Sequence, residues 1–109
     1  MVDKELEELK REFLAEAKDK VQEIESQLDG ARNAESLQRL SYLAHQLKGS
    51  GGSYGFQRIS TDAAELEKAV EWLATGSDEG RVEEKIQQHV VNIRAEIDKR
   101  SRELSTAAR

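Results

Sequence analysis

His45-Gln46-Leu47-Lys48-Gly49-Ser50-Gly51-Gly52-Ser53-Tyr54-Gly55 lies between two helical stripes, and where it breaks decides how the chain folds. Upstream, Leu37, Leu40, Ala44 and Leu47 recur at helical spacing; downstream, Phe56, Ile59, Ala63, Leu66, Val70 and Leu73 do the same. A helix running into Gly49, Gly51 and Gly52 loses about 1 kcal/mol at each glycine relative to alanine, so the run needs a reason. His45 supplies one. Helical side chains lean toward the N-terminus, so the residue at i+4 covers the one at i. Here i+4 is Gly49 and i+7 is Gly52, which leaves the imidazole uncovered and lets a large surface approach it. Lys48 at i+3 leans back toward the ring and brings a cation to any anion held there.

Working outward, four helical segments emerge with no period-2 alternation competing. The first spans about 3–28, where Leu6, Leu9, Phe13, Ala17, Val21, Ile24 and Leu28 form a stripe with charge on the other faces. Asp29-Gly30-Ala31-Arg32-Asn33 breaks it, and Asn33 is suited to cap the second segment, 34–52. The third spans about 56–74 and is closed by Thr75-Gly76-Ser77-Asp78. Ser77 or Asp78 would cap the fourth, 78–104, whose stripe is Val82, Ile86, Val90, Ile93, Ile97 and Leu104. Connections this short make antiparallel neighbours, so the expectation is an all-α, up-down-up-down four-helix bundle forming one domain over 1–109. The tail from Ser105 to Arg109 is expected to fray.

Composition narrows the function. The chain has 109 residues, no proline, no cysteine and a formal charge of −5. Lack of cysteine excludes disulfides and thiolate metal sites, and the acidic balance argues against nucleic acid as a partner. No apolar run approaches the ~20 residues of a membrane span, and Met1-Val2-Asp3-Lys4-Glu5 is unlike a signal peptide, so a cytoplasmic domain is expected. A di-metal bundle would need Glu-x-x-His pairs, but Tyr42 and Ile86 stand three residues before His45 and His89. No metal or cofactor site is expected. The glycines lack the Gly-Lys-Ser/Thr ending of a phosphate loop, and no Ser-His-Asp arrangement is seen. His89, beside Val90 on the fourth stripe and without glycine clearance, reads as a boundary residue.

An open imidazole with a bare approach surface and one nearby ammonium suits a histidine that accepts a phosphoryl group. The stretch resembles the histidine-containing phosphotransfer (HPt) domains of two-component signalling. Their motif is His-x-Leu/Ile-Lys-Gly-Ser/Ala/Gly, with another glycine ten residues after the histidine. His45, Leu47, Lys48, Gly49, Ser50 and Gly55 match it. Tyr54-Gly55-Phe56, and Glu67 placed 22 residues after His45, look most like the N-terminal phosphotransfer domain of chemotaxis-type kinases.

Neutral imidazole attacks through one nitrogen when the other carries the proton. A carboxylate on Nδ1–H would select the tautomer with its lone pair on Nε2. Glu67 is the candidate, flanking the third stripe between Ala63 and Val70, and the resemblance implies the same role. The resemblance further implies that Lys48 pairs with phosphoryl oxygens; Lys68, adjacent to Glu67, is a weaker candidate for the same face. It implies that a histidine kinase or a receiver aspartyl phosphate donates, and that the aspartate of a response-regulator receiver domain accepts. The receiver would bring Mg²⁺. With no nucleotide loop of its own, the chain is not expected to phosphorylate itself from ATP. The docking face is expected around Gln38, Ser41, Tyr42, Gly49, Gly52 and Ser53, with Ala64, Lys68 and Glu71 on the third helix, in a monomer. The alternative readings are an HPt-like adaptor whose histidine stays unmodified and a plain structural bundle.

Overall fold

A computed structural model of the chain describes residues 4–29, 33–76 and 79–107. Four helices occupy them: α1 (Lys4–Asp29), α2 (Ala34–Ser53), α3 (Gln57–Ala74) and α4 (Glu79–Ala107). Each bound lies within about three residues of the sequence expectation, the largest difference being the extension of α4 through Ala107, past the start expected for a frayed tail. The breaker segment 30–32 and the caps expected at Ser77 or Asp78 lie outside the described residues.

The helices pack in a ring, α1 on α2, α2 on α3, α3 on α4 and α4 on α1. Cross-helix pairs run in opposite senses along each seam. Glu25 meets Arg94 while Arg11 reaches Leu104, and Phe13 meets Tyr54 while Glu23 meets Arg39. This is the antiparallel up-down bundle, an elongated body of 50 × 20 × 20 Å. The expected stripes form its core: Phe13, Ala17, Val21, Ile24 and Leu28 from α1, and their counterparts Leu40, Ala44, Leu47, Ile59, Leu66, Ile86 and Ile93, are all buried. Leu14, Leu43 and Ala69 join them from positions beside the stripes.

Two members of the first stripe do not join the core: Leu6 and Leu9 are 41% and 45% exposed. The reason is where the bundle ends. Phe13 stacks on Phe56 and tilts against Tyr54, each with ring centroids 5.5 Å apart, and these two aromatics sit where the chain turns from α2 into α3. Leu6 and Leu9 lie one to two turns of α1 beyond that layer, where α2 and α3 have already turned back.

Local signals set the helix ends. Asn33 caps α2 through a capping box: its Oδ1 accepts from Ser36 N at 2.9 Å, and Ser36 Oγ accepts from Asn33 N at 3.1 Å. Gly55 ends α2 with φ +83°, so that Gly55 N donates to Gly52 O and Phe56 N to Gly51 O at 2.8 Å. That bond pair is the Schellman motif, whose left-handed position favours glycine because it has no Cβ. Gly76, with φ +79°, ends α3.

Candidate functional site

The α2–α3 seam brings His45, Lys48 and Glu67 together. Glu67 is reached from both sides of its carboxylate: Oε2 stands 3.1 Å from His45 Nδ1, and Oε1 accepts from Lys48 Nζ at 3.0 Å. A carboxylate only accepts hydrogen bonds, so this contact puts the ring proton on Nδ1 and the free lone pair on Nε2. Burial is graded across the three groups. The Glu67 side chain is 17% exposed, Lys48 39% and His45 64%. An enclosed carboxylate thus anchors a ring whose far edge faces solvent. The Lys48 head does not stand free beside the ring; the shared carboxylate holds it there.

The glycines divide into two kinds. A Cβ on Gly49 would meet nothing within 4 Å, so this residue keeps open the space one turn from His45. Gly52, expected to clear the same surface, instead faces α3. A Cβ there would meet Ser60 Oγ at 3.4 Å, because residue 52 lies in the groove between the helices. Gly51, on which the sequence reading placed no function, is buried, and its Cβ would meet Ser60 N at 3.3 Å. Ser60 also donates its hydroxyl to Lys48 O at 2.8 Å.

The expected docking residues do not form one patch. Gln38 and Ser41 line a groove of about 430 Å³ against Val70, Glu71 and Ala74 of α3. Tyr42 faces the other way, toward α1: it lies with Glu23, Arg39 and Gln46 in the α1–α2 groove, and the Arg39 guanidinium sits 5.4 Å from its ring centroid. A step of one residue turns a helical side chain by about 100°, which separates Tyr42 from Ser41. Ser53 is exposed and donates to Gly49 O at 3.0 Å. Lys68 does not reach the site; its Nζ lies 3.7 Å from Glu65 on its own helix.

His89 is half-buried in the α3–α4 seam, as a boundary residue would be, but it has a partner the sequence did not disclose. Its Nδ1 lies 2.9 Å from Asp62 Oδ1, which also accepts from Asn92 Nδ2 at 3.2 Å. The side chain is 21% exposed, a third of the value at His45. Among the described residues, no group of three His, Cys, Asp or Glu side chains is placed to hold a metal ion, and no helix is long and apolar enough to cross a membrane.

A helical bundle that fixes one open imidazole by a carboxylate, with an ammonium on the same carboxylate, has the parts of a protein that carries a group on a ring nitrogen. The Hpt domain family model matches residues 8–103, and the chain belongs to that family. Comparison with curated proteins and with solved structures gives no match. Family membership implies a phosphotransfer role in two-component signalling, among kinases and receiver domains.

Proposed function

We propose that the chain is a phosphorelay intermediate that carries the phosphoryl group on His45 Nε2. The observation that carries this reading is the 3.1 Å contact of Nδ1 with Glu67 on a ring that is 64% exposed. In the proposed step the Nε2 lone pair attacks the phosphorus of a receiver aspartyl phosphate. The N–P bond forms, the P–O bond to the aspartate breaks, and that electron pair returns to the aspartate carboxylate. Nδ1 keeps its proton, and the positive charge that develops on the ring is met by Glu67. The reverse step passes the group to a receiver aspartate, and a histidine kinase is the other donor. Lys48, tethered by Glu67, is within reach of the phosphoryl oxygens. The divalent cation such transfer uses belongs to the receiver. We place the protein in the cytoplasm, acting as a monomer.

Incubation with a phosphorylated receiver domain and Mg²⁺ tests the proposal. The wild type should acquire phosphate that is labile in acid and stable in base, and His45→Gln, folded by circular dichroism, should acquire none. A wild type that binds the receiver but never takes the label would instead be an unmodified adaptor.

A further inference from the structure

We propose that Ser60 is a positioning residue for His45, acting by fixing α3 against α2 at the point where the glycines leave α2 without side chains. The inference rests on the reading of His45 as the phosphoacceptor.

The backbones of the two helices come close where Gly51 faces Ser60. A Cβ on Gly51 would lie 3.3 Å from Ser60 N and 3.5 Å from Phe56 O, both backbone atoms, and 3.4 Å from the Ile59 side chain at Cγ2. Close packing of this kind lacks a ridge. Side-chain ridges seated in grooves are what normally resist sliding of one helix along another, and Gly51 and Gly52, the two glycines that face α3, supply none. A directional contact stands in that gap: Ser60 Oγ donates to Lys48 O at 2.8 Å. In helical geometry this carbonyl already faces the Gly52 N–H, so the hydroxyl addresses its second lone pair without breaking the helix.

Ser60 lies seven residues, about two turns, before Glu67 and so shares its face of α3. Lys48 lies one turn from His45 on α2. The bond therefore fixes both the axial position and the rotation of Glu67 relative to His45. Good hydrogen bonds span only about 2.7–3.2 Å, so at 3.1 Å the Nδ1–Glu67 contact has little slack toward longer distances. A slide of α3 by a small fraction of the ~5.4 Å helical pitch is enough to loosen it.

The test reads the ring and the transfer separately. In Ser60→Ala, nitrogen NMR of His45 should show a smaller fraction of the Nδ1–H tautomer, and uptake from a phosphorylated receiver should slow about three- to tenfold, the range one neutral hydrogen bond allows. Ser60→Thr, which keeps the hydroxyl, should restore both. Gly51→Ala, which pushes the helices apart without touching any hydroxyl, should shift the tautomer in the same direction. In a Glu67→Ala background, Ser60→Ala should slow uptake no further, because the residue through which it acts is gone. An unchanged tautomer ratio in Ser60→Ala, or equal slowing with and without Glu67, would overturn the proposal. Failure of the phosphoacceptor reading looks different: the wild type itself would take no label, and the NMR comparison would still decide whether Ser60 positions the ring.

Discussion

At His45 one carboxylate does two jobs. Glu67 Oε2 holds the ring proton on Nδ1, and Oε1 holds the Lys48 ammonium close to where a phosphoryl group would sit. The two roles separate by substitution. Glu67→Ala frees the tautomer and should slow phosphorylation by up to roughly a hundredfold, the lower end of general acid–base assistance. Glu67→Gln should lose less, since an amide oxygen still accepts from Nδ1–H. Lys48→Ala should slow transfer while leaving the tautomer ratio near the wild-type value, because the Oε2 contact remains. Nitrogen NMR of the ring with a receiver assay checks all three. That His45, Lys48 and Glu67 would meet was legible in the sequence: helical spacing sets the first two on one face of α2, the stripe of α3 turns Glu67 toward α2, and the resemblance to HPt domains paired it with His45. Ser60 and Asp62 were not. Their contacts run across a seam, and no spacing within one helix reports which residue of the next one stands opposite.

The elements owe their ends to a few short signals, and the second helix shows how much each contributes. Asn33→Ala removes the capping box and should cost about 1 kcal/mol, within the usual ~0.5–2 kcal/mol of a lost N-cap. Gly55→Ala forces a Cβ into φ +83° and should destabilise by about 1–2 kcal/mol, although that Cβ would meet no atom within 4 Å. Urea denaturation measures both, and neither should change the ring tautomer of His45. Periodicity located the helices well because each stripe faces one core. It failed at Leu6 and Leu9, since a stripe states which face is apolar and not how far the neighbours extend beside it. The aromatic layer of Phe13, Tyr54 and Phe56 sets that limit.

Across the whole molecule, ion pairs tie α1 to both of its neighbours. Arg94 hydrogen-bonds the Glu25 carboxylate from α4, and Arg39 hydrogen-bonds Glu23 from α2; these bonds hold both carboxyls below their ordinary value of 4.5. A depressed folded-state value means the stabilisation is fully present above the unfolded value and is lost as pH falls through the folded one. The thermal midpoint should therefore drop as pH is taken below about 4.5, and Arg94→Ala should make that drop shallower; these pairs are partly exposed, so each effect is small. The same bundle sets two carboxylate-bound histidines on different seams, one open and one half-buried, and the proposed phosphoacceptor is the open one. The most direct test is phosphorus–nitrogen correlation NMR on the protein labelled by a phosphorylated receiver. Phosphorus should be bonded to Nε2 of His45, with the proton retained on Nδ1. Phosphorus on Nδ1 of His45, or on either nitrogen of His89, would contradict that assignment.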